Sequence, residues 1–151
     1  MLDKREFNKL RLELEDFDKQ RELLIKKSRD LLKLSKLIIY SIHRNDLETG
    51  LRQVEKIVKE KKELDKIANH DIKLSYEGSY IVAMHEYVEA LCFFDFIKSN
   101  RIPTKTKLGV STGEYLLGLC DLTGELTRRA VVSAINNFDE VTKIKELIEQ
   151  I

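Results

Sequence analysis

The chain has 151 residues, 42% hydrophobic and 35% charged, with one Pro, six Gly and no Trp. Its 27 basic and 26 acidic residues leave a net charge of +1, so no global field recruits nucleic acid and any such surface must come from local segregation of charge. Richness in Leu, Lys and Glu with so few chain breakers points to a single all-helical domain over residues 1–151.

The N-terminal run MLDKREFNKL is charged from its third residue, unlike a signal peptide, and no span is long and apolar enough to cross a bilayer. Cys92 and Cys120 sit in apolar helical patterns without metal-type spacing. They read as reduced core residues of a cytoplasmic protein.

The first segment carries an unbroken heptad seam: Phe7, Leu10, Leu14, Phe17, Arg21, Leu24, Ser28, Leu31, Ser35, Ile38 and Ile42. A continuous helix over 7–42 is roughly 54 Å long, at about 1.5 Å per residue. That outruns a single small core and predicts packing against another subunit. Ser28 and Ser35 are small enough to admit a close helix. Arg21 is the odd member, read ordinarily as snorkelling to the rim; an acidic partner or a phosphate is the sharper alternative.

Asn45-Asp46 stops this helix. A second is predicted over 47–68, with Leu47, Leu51, Val54, Val58, Leu64 and Ala68 as its stripe and the run KIVKEKKELDK at 56–66 as a solvated face. Asn69-His70-Asp71 reads as a turn. Ser75 is the predicted cap of a third helix ending near Ser99-Asn100. Residues 101–108, with Pro103, are the clearest loop. Ser111-Thr112-Gly113-Glu114 is a capping box opening a fourth helix over 112–136, and 139–151 forms a final amphipathic helix.

The third helix holds IVAMHEYVEALCFFDFI, apolar nearly all round and interrupted only by His85, Glu86, Glu89 and Asp95. Such a helix belongs inside a protein or a membrane, and three acids in so short a span exclude the membrane. Glu86 and Glu89, at i, i+3, project from one side. No Lys or Arg lies between Ile81 and Ile97, so something elsewhere must neutralise them.

The fourth helix offers a second pair, Asp121 and Glu125, at i, i+4. Arg128 and Arg129 follow Glu125 by three and four residues, so an ordinary ion pair is the competing account. Gly118 and Gly124 each cost roughly 1 kcal/mol in a helix interior, which suggests a close helix contact or room for a ligand. Four inward carboxylates repel one another unless a divalent cation sits between them. Oxygen ligands without Cys select Mg²⁺ or Mn²⁺ over Zn²⁺. HEYVE lacks the second His of a zincin motif. His43, His70 and His85 do not form the Glu-x-x-His pairs of a di-iron bundle, and His85 reads as a packing residue or as one supporting a ligand from outside the coordination sphere, not as a ligand itself.

Three segments together resemble the translin family, closest to its translin-associated factor X (Trax) branch in an archaeal form. They are EYLLGLCDLTGELTRRAVVSAI, HEYVEALCFFDFIKSNRI and RELLIKKSRDLLKLSKLIIYSIHR. The resemblance implies an all-α antiparallel bundle of about five to six helices with a long N-terminal helix, assembling into closed oligomers. It also implies a Mg²⁺-dependent endoribonuclease on single-stranded RNA, with Glu86, Glu89, Asp121 and Glu125 as its acidic set. Two departures stand out. Glu114 replaces the branch's usual Asp, and family members usually continue through further helices that help build their eight-subunit barrel.

The expected chemistry is hydrolysis of an RNA phosphodiester with one or two Mg²⁺ ions on those carboxylates, with one of them, such as Glu125, serving as general base rather than ligand as the alternative. Arg21, Lys26, Lys27, Arg29, Lys33 and Arg44 are candidates for phosphate contacts, with a solvated face as the ordinary alternative for each. The expected partners are single-stranded RNA, single-stranded DNA as a second candidate, further copies of the chain and a translin-like subunit, but no membrane. Two rival readings stand beside this. One is an all-α nucleotide pyrophosphohydrolase, which also uses an E-x-x-E pair around Mg²⁺. The other is a non-enzymatic RNA- or DNA-binding scaffold whose acids form inter-helix salt bridges.

Overall fold

The computed structural model describes residues 3–151. Six α-helices and one 3₁₀ turn make up the described residues, with no strand: α1 (Lys4–His43), α2 (Leu47–Ala68), a 3₁₀ turn (Ile72–Tyr76), α3 (Gly78–Ser99), α4 (Lys105–Leu108), α5 (Thr112–Ser133) and α6 (Phe138–Ile148). The fold is the expected all-α bundle.

α1 is one continuous helix of 40 residues, about 60 Å at 1.5 Å per residue. Its seam divides in two. Leu24, Ser28, Leu31, Ser35, Ile38 and Ile42 are buried, and the two serines let α1 lie close against its neighbours. Phe7, Leu10 and Leu14 are 53%, 45% and 67% exposed, because the rest of the chain does not reach that far along the rod. Arg21, at the junction, donates from Nε to Glu77 at 2.8 Å. It does not snorkel into solvent; it meets an acidic partner.

The three-residue link to α2 turns the chain back sharply. Asn45 takes a left-handed φ of 59°, which Asn tolerates better than other side chains, and the Asp46 carboxylate caps α2 through the Thr49 amide. The buried stripe of α2 is rotated from the expected one: Gly50, Ile57, Lys61, Leu64 and Ala68 are buried, while Leu51 is exposed. The cause is Gly50, where an added Cβ would lie 3.0 Å from the Phe94 ring. The rotation also buries Lys61, which was expected on a solvated face. Its ammonium donates to Asp65 at 2.7 Å and to the Gly109 carbonyl at 2.5 Å.

α3 is the central rod. It packs on α1 and α5, and α6 packs on α5. Ser75 does not cap α3: it closes the 3₁₀ turn by donating to the Ile72 carbonyl, and Glu77 is the N-cap without a side-chain cap bond, its carboxylate being held by Arg21. α3 ends at Asn100 in a left-handed conformation. The expected 101–108 loop contains the short α4. The capping box of α5 is present in both directions between Ser111 and Glu114. α5 stops three residues earlier than expected, and Asn137 caps α6. Cys92 is buried but Cys120 is exposed, so only the first is a core residue. No helix is long and apolar enough to cross a membrane among the described residues.

Candidate acidic site between three helices

Glu86 and Glu89 of α3 face Asp121 and Glu125 of α5 across one cleft of about 440 Å³, whose third wall is α1 through Lys36, Ile39 and Tyr40, with Arg128 on the rim. The two acidic pairs meet because α3 and α5 approach closely at Gly118. A Cβ added there would lie 2.5 Å from Cβ of Val88 and 2.9 Å from the His85 carbonyl, so only glycine permits this spacing. Gly124 has open space around it and plays no such part. His85 packs beside the contact, and its Nε2 is buried without a partner.

The four carboxylates differ in surroundings. Glu89 is buried, at 7% exposure, Glu86 and Glu125 are half-buried, and Asp121 stands at the exposed mouth. Burial, and then the charges of Glu86, Glu125 and Asp121, push the Glu89 carboxyl up to about 8 against the smaller opposing effect of Lys36. Glu86 is raised too, first by burial. Glu125 is the exception in having partners. Its Oε2 lies 2.5 Å from His43 Nε2, and its Oε1 lies 3.4 Å from the Arg128 guanidinium. The ordinary ion pair foreseen for Glu125 is therefore present with Arg128. Arg129 instead binds Glu140 of α6 at 3.0 Å and the Ile42 carbonyl at 3.3 Å. No side-chain hydrogen bond or ion pair engages Glu86, Glu89 or Asp121 among the described residues.

His43 escaped the sequence reading, which weighed histidines only for metal motifs. The signal available was its place at the end of the α1 seam, one residue after Ile42. Its ring rests on the buried Phe93, with centroids 5.3 Å apart.

The donor chemistry suits a hard divalent cation: oxygen from four carboxylates, no thiolate, and a buried acid lacking any basic partner. Among the described residues no three His, Cys, Asp or Glu side chains form a ready-made cage, so holding an ion calls for rotation of these side chains.

The candidate phosphate contacts scatter along α1. Arg21 is engaged by Glu77, and Lys27 by Glu60 at 3.0 Å. Lys26, Arg29, Lys33 and Arg44 are exposed. Lys27 and Lys33 line a groove between α1 and α2 that also contains Asp30 and Glu60. None of the six lines the acidic cleft, whose basic residues are Lys36 and Arg128.

Comparison with known proteins agrees with this architecture. An uncharacterised protein of Methanocaldococcus jannaschii, MJ0175, is 31% identical over 134 residues, which is 87% of this chain and 59% of that protein. Translin-associated protein X of Pongo abelii is 27% identical over 96% of this chain and 64% of its own length. The chain thus spans about three-fifths of these curated relatives. The crystal structure of apo-NeC3PO superposes with a TM-score of 0.89 at 30% identity, covering 99% of this chain and 79% of that one. The AfC3PO–duplex RNA complex gives 0.88 at 25% identity, covering 96% and 75%. Residues 19–151 match the model of the Translin family, and the chain belongs to that family.

Proposed function

We propose that this chain cleaves phosphodiester bonds of single-stranded RNA by hydrolysis, with Mg²⁺ held by Glu86, Glu89, Asp121 and Glu125. The observation that carries this reading is the convergence of four acids from two helices on one cleft, with the most buried of them, Glu89, unpaired. Mg²⁺, for which Mn²⁺ is the natural substitute, supplies an activated water and charge neutralisation at the leaving oxygen. The similarity to AfC3PO, which has been solved with duplex RNA, supports RNA as the ligand class.

The chain's own residues divide the remaining work. Glu125 is oriented by His43 and Arg128 as one of the four ligands. Lys36 and Arg128 place positive charge on the rim beside the acids, where a phosphate must sit. Lys26, Arg29, Lys33 and Arg44 are free to meet the RNA backbone further along α1. The exposed seam at Phe7, Leu10 and Leu14 is suited to assembly with further copies of the chain or a translin-like subunit.

The test is Glu125→Gln on labelled single-stranded RNA with Mg²⁺. A marked fall in kcat is expected for loss of a charged ligand. Undiminished cleavage removes the carboxylate mechanism. Glu125 being paired lends some support to the scaffold reading, in which the acids serve only as inter-helix bridges. That reading predicts salt-sensitive RNA binding with no divalent-cation requirement and no cleaved product.

A further inference from the structure

Two consecutive residues at the end of α1 are gripped by α5. Arg129 donates to the Ile42 carbonyl at 3.3 Å, and Glu125 meets His43 Nε2 at 2.5 Å. Glu125 and Arg129 are at i, i+4 and therefore share one face of α5. Arg129 is itself fixed by Glu140, whose second oxygen accepts from Ser133 at 2.5 Å. Two contacts thus pin the last turn of α1 and leave the His43 ring little freedom. The buried Phe93 supports the ring from below, and His43 and Glu125 side chains are each only 17% exposed.

We infer that His43 is a positioning residue: its Nε2–H holds Oε2 of Glu125 so that the carboxylate is presented to the cleft for a divalent cation. The inference rests on the metal-dependent reading given above. Three features of the site carry it. Glu125 alone of the four acids is held by a mostly covered side chain, His43 at 17% exposure, whereas its other partner, Arg128, is 61% exposed. The holding group is a ring nitrogen fixed by packing and by the Arg129 anchor, not a flexible chain. The contact engages only Oε2; Oε1 makes no hydrogen bond among the described residues, lies 3.4 Å from the Arg128 guanidinium, and belongs to a carboxylate that lines one cavity with Glu86, Glu89 and Asp121. Carboxylate ligands oriented in this way by a hydrogen bond outside the coordination sphere typically lose about 10–100-fold in metal affinity when that bond is removed.

Two variants separate positioning from packing. His43→Phe keeps a ring against Phe93 and removes the donor; His43→Gln restores an N–H at a similar reach. Mn²⁺ affinity is measured by titration calorimetry on wild type, both variants, Glu125→Gln and the double variant His43→Phe/Glu125→Gln. The expected results are a loss of about tenfold or more in His43→Phe, recovery in His43→Gln, and no additional loss from His43→Phe once Glu125 is Gln. Wild-type affinity in His43→Phe overturns the inference, as does an equal loss in the Glu125→Gln background, which would make the effect general to the fold. Metal-free crystal structures supply the second arm. Glu125 is expected to leave its place in His43→Phe and keep it in His43→Gln; an unmoved Glu125 in both overturns the inference. If wild type takes up no Mn²⁺, the proposed nuclease function falls and, with no cation to be presented, this inference falls with it, whereas Mn²⁺ binding unaffected by His43 sinks the inference alone.

Discussion

Gly118 on α5 and Val88 on α3 are in such close contact that a methyl group on the glycine would overlap the valine side chain, at 2.5 Å from Cβ and 2.6 Å from Cγ1. Gly118→Ala is therefore expected to cost about 1–3 kcal/mol by forced overpacking, lowering the melting temperature by about 2–4 °C for each kcal/mol. Gly124→Ala, one helical face away in open space, is expected to raise stability by up to about 1 kcal/mol through helix propensity alone. Thermal unfolding of the two variants side by side checks the contrast. Equal effects would mean that α3 and α5 do not touch as described.

Glu89 makes stability depend on pH in a defined direction. Its folded carboxyl sits at about 8, above its ordinary 4.5. Between those values the folded chain keeps a proton that the unfolded chain has released, so stability falls as pH rises through the window. Below it the penalty is absent, and above it the penalty is complete. Metal-free protein should therefore melt at lower temperature at alkaline than at mildly acidic pH, and Glu89→Gln should flatten the slope. Added Mg²⁺ should restore stability most at the alkaline end, because the ion takes the place of the proton. A wild-type profile as flat as that of Glu89→Gln would contradict this assignment.

Lys61 is a buried ammonium holding the Gly109 carbonyl and Asp65 together. Lys61→Met preserves much of the side-chain volume but leaves both acceptors short of a donor. The expected cost is about 1–3 kcal/mol, read from the shift of the urea midpoint at unchanged m-value. A neutral outcome would show that water reaches both groups.

The exposed half of the α1 seam is expected to mediate assembly. Replacing Phe7, Leu10 and Leu14 together with Glu removes apolar surface that contributes nothing to the packed core. Sedimentation should show a smaller particle, while circular dichroism and melting of the individual subunit stay close to wild type. An unchanged particle would place the assembly surface elsewhere.

Arg21 and Glu77 form a partly exposed pair, 42% and 24% exposed. Glu77→Gln is expected to cost no more than about 1 kcal/mol, and less at high salt. A salt-independent loss would indicate that Glu77 matters as the N-cap of α3 instead.

Helix existence and type were legible because the signals are local. The Ser111–Glu114 capping box, Asp46 before α2 and the period of the α1 seam each depend on residues within one or two turns. Both acidic pairs were legible for the same reason, since i, i+3 and i, i+4 spacing fixes a face. What the sequence hid was set by contacts between distant segments. The rotation of α2 follows from Phe94 lying over Gly50, 44 positions away by their numbers, and no stripe of hydrophobic letters reports that. His43 lies outside any motif, and its role exists only because α5 brings Glu125 to the end of α1. Ser75 looked like a cap because its side chain suits one, yet the 3₁₀ turn claimed it first. Arg21 read as a rim residue because its partner is 56 residues away.

Every residue lining the acidic cleft belongs to the body of α1, α3 or α5, and none comes from a connecting segment. Among the described residues the cavity is walled by rods alone, so any ligand of the cleft is expected to enter by rotamer changes or through the opening at the mouth beside Asp121. Amide hydrogens around it are expected to exchange as slowly as those of the deepest core, because exposing them means unzipping helices that span the molecule. Opening of the cleft and global melting should then coincide: the cleft has no softer mode of failure than the bundle itself.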